Sequence, residues 1–475
     1  MKKSILFLSS CALAISANAQ DKQNIVFILV DDLGWADLGV NGSDYYETPN
    51  IDRLAAQGIF FSNAHSASPV SSPARGAIMT GRTPARTGYT GLIGQWGKPA
   101  KGNLIDADFA PNIATEEFTL AEAFKSHGYK TMHFGKWHLG ETEPTMPLAQ
   151  GFDTSITGYE EGKWKQQRFN EKGEFITDLL TDKALESIKE NKDEPFFLNL
   201  CYYAVHTPIV AKPNDIAYFK EKAVKMGLDS KEAIITGELQ PALPWFKQEK
   251  GVKGNVARRV IQSDPTYAAF LYCLDQNIGR VMDLIEELNL TDKTTFVFYS
   301  DNGGLSVSAG EGTPTCNAPL NEGKGWAFEG GIRVPLIVSS PKSQIKGTVC
   351  DAPIVGTDLY PTLLEIAELP LEKKQHVDGE SFKAALDGKS IKRSPIFWHS
   401  PHYFNQGGYP FSAVLDGDWK YTYCYDLEKA FLFNIKEDLS EQNNLINSHT
   451  KEAKRLKKLL DKYLTEVDAK FPSVR

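Results

Sequence analysis

The sequence predicts an α/β protein, a mixed and mostly parallel sheet flanked by helices, followed by a smaller C-terminal α+β unit made of a short antiparallel sheet and one helix. Three observations predict it. Short apolar runs that end abruptly in polar residues recur up to about Pro370, helical patterns alternate with them, and beyond that point the runs become aromatic and alternating.

The first run, Asn24–Val30, is continuously apolar and stops at Asp31 and Asp32, the pattern of a strand buried on both faces of a parallel sheet. Similar runs stand at Tyr129–Phe134, Phe196–Cys201, Thr295–Ser300 and Val334–Ser339. Helical patterns at Thr119–Lys125 and Tyr267–Leu288 lie between them. Glu221–Asn255, rich in Lys, Gly and Pro, is expected to form an inserted, partly helical excursion. Leu371–Gln375 reads as a linker. After it, Ile396–His399, Tyr409–Leu415 and Lys420–Tyr425 predict short strands, and Thr450–Val467 a charged amphipathic helix.

In open α/β sheets ligands bind beyond the carboxyl ends of the strands. The polar residues follow that rule. Asp31 and Asp32 close the first run, Lys136 and His138 follow the one ending at Phe134, His206 follows Cys201, and Asp301 and Asn302 follow Ser300. Asp31, Asp32, Asp301 and Asn302 offer only oxygen donors, which suits a hard divalent cation such as Ca²⁺ better than zinc or copper. Adjacent carboxylates on one strand end also repel unless a cation lies between them.

Composition bounds the rest. The first residues carry Lys2 and Lys3, an apolar run from Ile5 to Ile15 and an Ala17-Asn18-Ala19 cleavage site, so residues 1–19 are expected to be a secretory signal cut after Ala19. This places the mature chain in the periplasm or outside the cell. A lipoprotein anchor at Cys11 is the less favoured alternative, because the run before it is short. No other segment has the length of a membrane span. Without Cys11, five cysteines remain, odd in number and scattered without metal spacing, which argues against a disulfide framework or a zinc cluster and leaves room for one bridge in an oxidising compartment. A net charge of −8 with no basic tract argues against a nucleic-acid partner.

The most informative stretch is Ser71-Ser72-Pro73-Ala74-Arg75, continued by Gly76 to Met79 and Thr80-Gly81-Arg82. Read locally it is a helix start, with Pro73 in the first turn and free backbone N–H groups that favour an anion. It also resembles the motif of the formylglycine-dependent sulfatases of the alkaline phosphatase superfamily, in which a Cys or Ser opening [C/S]-x-P-x-R is oxidised to an aldehyde. Gly135-Lys136-Trp137-His138-Leu139-Gly140, Lys324 within Gly323–Pro335 and Val205-His206-Thr207-Pro208 resemble further elements of that family, and the resemblance spans nearly the whole mature chain.

The resemblance implies an alkaline-phosphatase-like catalytic domain over residues 20–370, a C-terminal subdomain over 371–475, and hydrolysis of sulfate esters. A hydrated formylglycine derived from Ser71 would be the nucleophile, one hydroxyl attacking sulfur and the second, deprotonated, expelling sulfate. It makes Asp31, Asp32, Asp301, Asn302 and the residue-71 oxygen the ligands of one Ca²⁺. Arg75 would hold the nucleophile's oxygens, Lys136 and Lys324 would offset sulfuryl charge, His138 would be the base, and His206 or Lys324 the acid. Most family members carry Cys at this position. The serine type implies an anaerobic radical-type maturating enzyme as partner.

The expected substrate is a sulfated carbohydrate, attacked from its end at galactose or N-acetylgalactosamine, with O4 slightly ahead of O6. Phe397–Tyr403 and the residues after it resemble a loop seen in carbohydrate sulfatases, so His402 and Asn405 are candidate sugar contacts; an edge strand packing the two domains is the alternative. A phosphoester or phosphonate hydrolase of the same superfold, and a glycan-binding homologue without turnover, are the rival functions.

Overall fold

The computed structural model describes residues 22–94, 103–158, 168–236, 256–308, 312–404 and 406–475. The signal segment, Cys11 and Asn405 therefore lie outside the described residues.

Eight strands form the main sheet: β1 (Asn24–Val30), β2 (Ile59–Phe61), β3 (Lys130–Gly135), β4 (Thr154–Ile156), β5 (Phe196–Cys201), β6 (Thr294–Ser300), β7 (Leu336–Ser339) and β8 (Thr348–Cys350). Their spatial order is β8-β2-β7-β6-β1-β5-β3-β4. β1 lies at the centre, fully buried along its length, and pairs in parallel with β6 and β5. β7 alone runs antiparallel to both of its neighbours, so the sheet is mixed but mostly parallel, as expected.

Helices cover both faces. Pro49–Gln57, Ile176–Glu190, Pro213–Lys225 and Pro265–Glu287 contribute to the core on one side. Ser71–Thr80 (α1), Leu120–Ser126 and Leu359–Ile366 contribute to the core on the other. Phe382, Ala385 and Leu386, from the segment after the expected linker, also pack into this second core. Of the expected excursion, 221–225 completes the helix Pro213–Lys225, Ile234–Thr236 joins Ala257–Arg259 and Val307–Ser308 in a small antiparallel sheet, and 237–255 lies outside the described residues. No described helix is long and apolar enough to cross a membrane. Cys201, Cys273, Cys316, Cys350 and Cys424 are all free thiols.

The C-terminal sheet has four antiparallel strands, β9 (Ile396–Ser400), β10 (Phe411–Asp416), β11 (Trp419–Cys424) and β12 (Lys429–Asn434). One face receives the helix α2 (Thr450–Glu466) through Val414, Tyr421 and Leu432 against Leu456, Leu460 and Leu464. The other face packs on the catalytic unit through Trp398, Phe411 and Ala413. A buried ionic network crosses that contact. Lys420 Nζ on β11 lies 2.9 Å from carboxylate oxygens of both Glu329 and Glu441. The other Glu329 oxygen meets Arg333 Nε at 2.7 Å and His65 Nε2 at 3.0 Å. Burial disfavours every one of these charges, yet Lys420, His65 and Arg333 together hold Glu329 well below the usual carboxylate range.

Candidate active site

The Ser71 motif is built as a helix and its anchor. Ser71 is the first residue of α1, after Val70 in extended backbone that offers no side-chain cap, so the leading N–H groups stay available to an anion. At the other end Thr80 Oγ1 bonds to Gly76 O at 2.8 Å, and Gly81 turns left-handed at φ 65°, where a Cβ would come within 2.4 Å of His376. Arg82 then ties the turn down, its Nε donating to Gln375 O at 2.8 Å and its Nη1 meeting Glu117 at 3.1 Å. The Thr-Gly-Arg tail thus ends the helix and fixes its direction.

Ser71 Oγ points at the strand ends. It lies 3.2 Å from Asp31 Oδ1, 3.2 Å from Asn302 Oδ1 and 3.5 Å from Lys136 Nζ. Asp31 and Asp32 end β1, Asp301 and Asn302 end β6, and Lys136 leaves β3 directly after Gly135. That glycine is required, since a Cβ there would sit 1.8 Å from Cys201 O. Each carboxylate has a cation. Lys136 Nζ is 2.6 Å from Asp31, Lys324 Nζ 2.7 Å from Asp32, and Arg75 Nε 2.9 Å from Asp301. His206 Nε2 stands 3.6 Å from Asp32. Asp32 and His138 adopt φ of 61° and 62°, a backbone region costly for residues with a side chain and found at functional sites.

Electrostatics follow from this packing. Burial alone would raise the Asp31 carboxyl, but Lys136, His206, Arg75 and Lys324 hold it well below its ordinary range. Asp301 is pushed up to about 6 by burial and by Asp31, against Arg75. Burial lowers His138 strongly, with Lys136 and Arg75 adding to it, and also lowers His206, with Lys324 adding to it. Both imidazoles are therefore neutral near pH 7. A neutral imidazole at His138, whose buried Nδ1 has no protein partner, can accept a proton. Against burial, Asp32 and Asp31 raise the Lys324 ammonium, which stays charged.

Atoms of Asp31, Asp32 and His206 lie within 4.8 Å of one another, and Asp301 and Asn302 add further oxygens from the neighbouring strand. This donor set fits a hard divalent cation. Three buried carboxylates against Arg75, Lys136 and Lys324 are formally neutral, so one divalent ion would give the site the positive charge an anionic ester requires.

The model of the Sulfatase family matches residues 23–369. The chain belongs to the sulfatase family. A sulfatase is a sulfuric ester hydrolase. The C-terminal model of N-sulphoglucosamine sulphohydrolase matches residues 323–470 of the same sulfatase. It is 30% identical to a sulfatase of Formosa agariphila over 90% of its own length and 85% of that protein. It is 31% identical to the N-acetylgalactosamine-6-sulfatase of Mus musculus, over 83% of this chain and 72% of that one. Its fold matches the crystal structure of Ps i-CgsB in complex with k-i-k-neocarrahexaose at a TM-score of 0.71, 30% identity and 93% coverage of each chain.

The structure brings Ser71, Arg75, Asp31, Asp32, Lys136, Asp301, Asn302, Lys324 and His206 into one cluster, with His138 within electrostatic reach of it. His402 does not join it as an open sugar contact. It is 2% exposed, its Nε2 bonds to Thr90 Oγ1 at 2.7 Å, and Phe109 packs edge-on against its ring. This burial makes His402 a packing residue of its loop, which abuts the Lys324 turn where Gly325 faces Phe404 and Gln406. One contributor to the cluster carried no sequence signal. Arg168, 6% exposed and stacked over Tyr203, donates to the carbonyls of His206 and Thr207 at 3.0 and 3.1 Å, holding the His206 turn.

Proposed function

We propose that this sulfatase removes sulfate from a carbohydrate, using formylglycine made from Ser71 and one Ca²⁺ held by Asp31, Asp32, Asp301 and Asn302. The observation that carries the reading is the placement of Ser71 Oγ at a helix start, 3.2 Å from both Asp31 and Asn302 and within 3.5 Å of Lys136. Hydrated formylglycine supplies a geminal hydroxyl pair, one to attack sulfur and one whose deprotonation releases sulfate; bound Ca²⁺ supplies charge neutralisation.

The chain's own residues do the rest. Arg75, fixed by Asp301 and by Lys136 O at 2.8 Å, orients the nucleophile's oxygens. Lys136 and Lys324 offset charge on the sulfuryl oxygens, already in place before substrate arrives. His138 takes the proton of the second hydroxyl. His206, held at Nδ1 by Thr207 O at 2.5 Å, presents Nε2 to the leaving oxygen and serves as the acid once Nε2 is protonated, which the charge of a bound sulfate ester favours; Lys324, which stays charged, is the other candidate for that proton.

The carbohydrate class is supported by the relative named for N-acetylgalactosamine and by the structural neighbour in complex with k-i-k-neocarrahexaose. The proposed action is at a chain end, on galactose or N-acetylgalactosamine, and the 6-sulfatase relatives favour O6 over O4. Maturation by an anaerobic radical enzyme precedes export, residues 1–19 are removed, and the chain divides into 20–370 and 371–475, with Phe382–Leu386 returning to the larger core.

Mass spectrometry of the Ser71 peptide from the native anaerobic host tests the core of this reading. A loss of two hydrogens is expected, together with sulfate release from a panel of 4- and 6-sulfated galactose and N-acetylgalactosamine. A wholly unmodified Ser71 in active protein, or release of phosphate but not sulfate, would sink it. A second test separates the acid. His206→Ala should slow sugar sulfates by about 10²-fold or more while sparing a nitrophenyl sulfate, whose leaving group needs no proton. Equal losses on both would remove His206 from that role.

A further inference from the structure

The C-terminal sheet reaches the strand end of Asp301 through a single buried hydroxyl. Trp398 on β9 is 1% exposed, and its indole Nε1–H donates to Ser66 O at 2.7 Å. The Ser66 N–H donates to Ile332 O at 2.7 Å. Ser66 Oγ, also 1% exposed, lies 2.5 Å from Asp301 O and 2.7 Å from Ser68 O, and accepts from Ser68 N at 3.3 Å. One side chain therefore touches the backbone of Asp301 and the turn that runs through Val70 into Ser71.

What this controls follows from the partners of Asp301. Its Oδ2 takes Arg75 Nε and its Oδ1 takes the Asp32 N–H at 3.1 Å, so the carboxylate is fixed relative to Arg75 and Asp32. The backbone to which that carboxylate belongs is anchored by Asp301 N–H on Val30 O and by Ser66 on its own carbonyl. Losing the hydroxyl leaves a buried carbonyl that water does not reach, and the chain must shift to satisfy it.

We propose that Ser66 is a positioning residue, through which Trp398 and the C-terminal sheet set the Asp301 and Ser71 backbone to the geometry that the cation and the nucleophile need. The proposal rests on the functional reading above, in that it assigns Asp301 and Ser71 to the reacting centre.

Ser66→Ala, Ser66→Thr and Trp398→Phe test it in protein co-produced with a serine-type maturase, with aldehyde content measured by mass so that turnover is counted per aldehyde-bearing chain. Trp398→Phe deletes the indole N–H while keeping an aromatic ring in part of the same space, and its melting curve without Ca²⁺ separates the packing loss from the effect on the site. For Ser66→Ala, kcat should fall about 10- to 100-fold with KM little changed, and the Ca²⁺ concentration giving half of the thermal shift should rise by a similar factor. Trp398→Phe should move both readouts in the same direction, and Ser66→Thr should restore them. An unchanged kcat in Ser66→Ala, or a loss that leaves the Ca²⁺ midpoint in place and is not rescued by Thr, overturns the proposal. Wild-type protein that bears the aldehyde but releases no sulfate would instead fail the functional reading, and the Ca²⁺ midpoints of the variants would still decide the role of Ser66.

Discussion

Ser71→Ala is expected to abolish sulfate release, by about 10⁴-fold or more, while leaving the fold in place. The two expectations have separate physical grounds. Alanine carries no oxygen to become the nucleophile, and the adjacent Ser72 Oγ is engaged elsewhere, accepting the Ile93 N–H at 3.2 Å. Stability should change little, because Ser71 Oγ makes only long contacts of 3.2 Å and alanine suits the first turn of a helix. Kinetics on a sugar sulfate, together with a melting curve with and without Ca²⁺, check both halves. Turnover retained in a well-folded variant would remove Ser71 from the chemistry.

The second large effect is structural. Lys420→Met should destabilise the protein by about 3–5 kcal/mol, because it withdraws the cation shared by two buried carboxylates while roughly conserving volume. Lys420, Glu329 and Glu441 side chains are all 0% exposed, so no solvent can take over. The loss should also depend on pH. Burial and then Glu329 raise Glu441 above its ordinary value against the pull of Lys420, so the folded state favours the protonated acid. A group with a raised folded-state pKa costs stability as pH climbs from its unfolded value through the folded one, and removing Lys420 raises it further. The variant should accordingly lose less at about pH 5 than at about pH 8, as read by urea unfolding. A loss independent of pH would mean that Glu441 is not the group left uncompensated.

Much of the site was legible because chemistry and topology coincide in the chain. Asp31, Lys136 and Asp301 each stand directly after an apolar run, and a parallel sheet sends all such positions to one edge. The direction of β7 was not legible, since Leu336–Ser339 reads the same in either sense and only pairing shows it antiparallel. The strand Lys429–Asn434 carried no clear signal, because it sits among charged residues and only Leu432 and Phe433 in it are buried. Nothing in the sequence marks Lys420 beyond its place in a predicted strand; its burial depends on Glu329 and Glu441, both far from it in sequence. Ser66 and Arg168 act through backbone carbonyls, which any residue possesses, so neither spacing nor residue type marks them. His402 misled for the opposite reason. An aromatic-rich loop beside the site looks the same whether its histidine faces a sugar or, as here, Thr90 and Phe109.

The reversed strand keeps Lys324 on the same edge as Asp301. Because β7 runs against β6, residues 301–335 leave the catalytic edge at Asp301 and come back to it at Lys324 without ever crossing the sheet. Both ends of this segment are pinned on neighbouring strands, and Arg333 N–H on Glu329 O and Lys324 N–H on Gly304 O close it upon itself. Within it residues 313–317 are buried and bonded inward, Thr315 Oγ1 on Asp37 at 2.6 Å and Asn317 Nδ2 on Gly304 O at 2.9 Å, so that part is set by the same packing as the sheet edge. A change in this return path is therefore felt first at Lys324 and its contact with Asp32, while the register of β6, β1 and β5, and with it the spacing of the carboxylates, stays as it is.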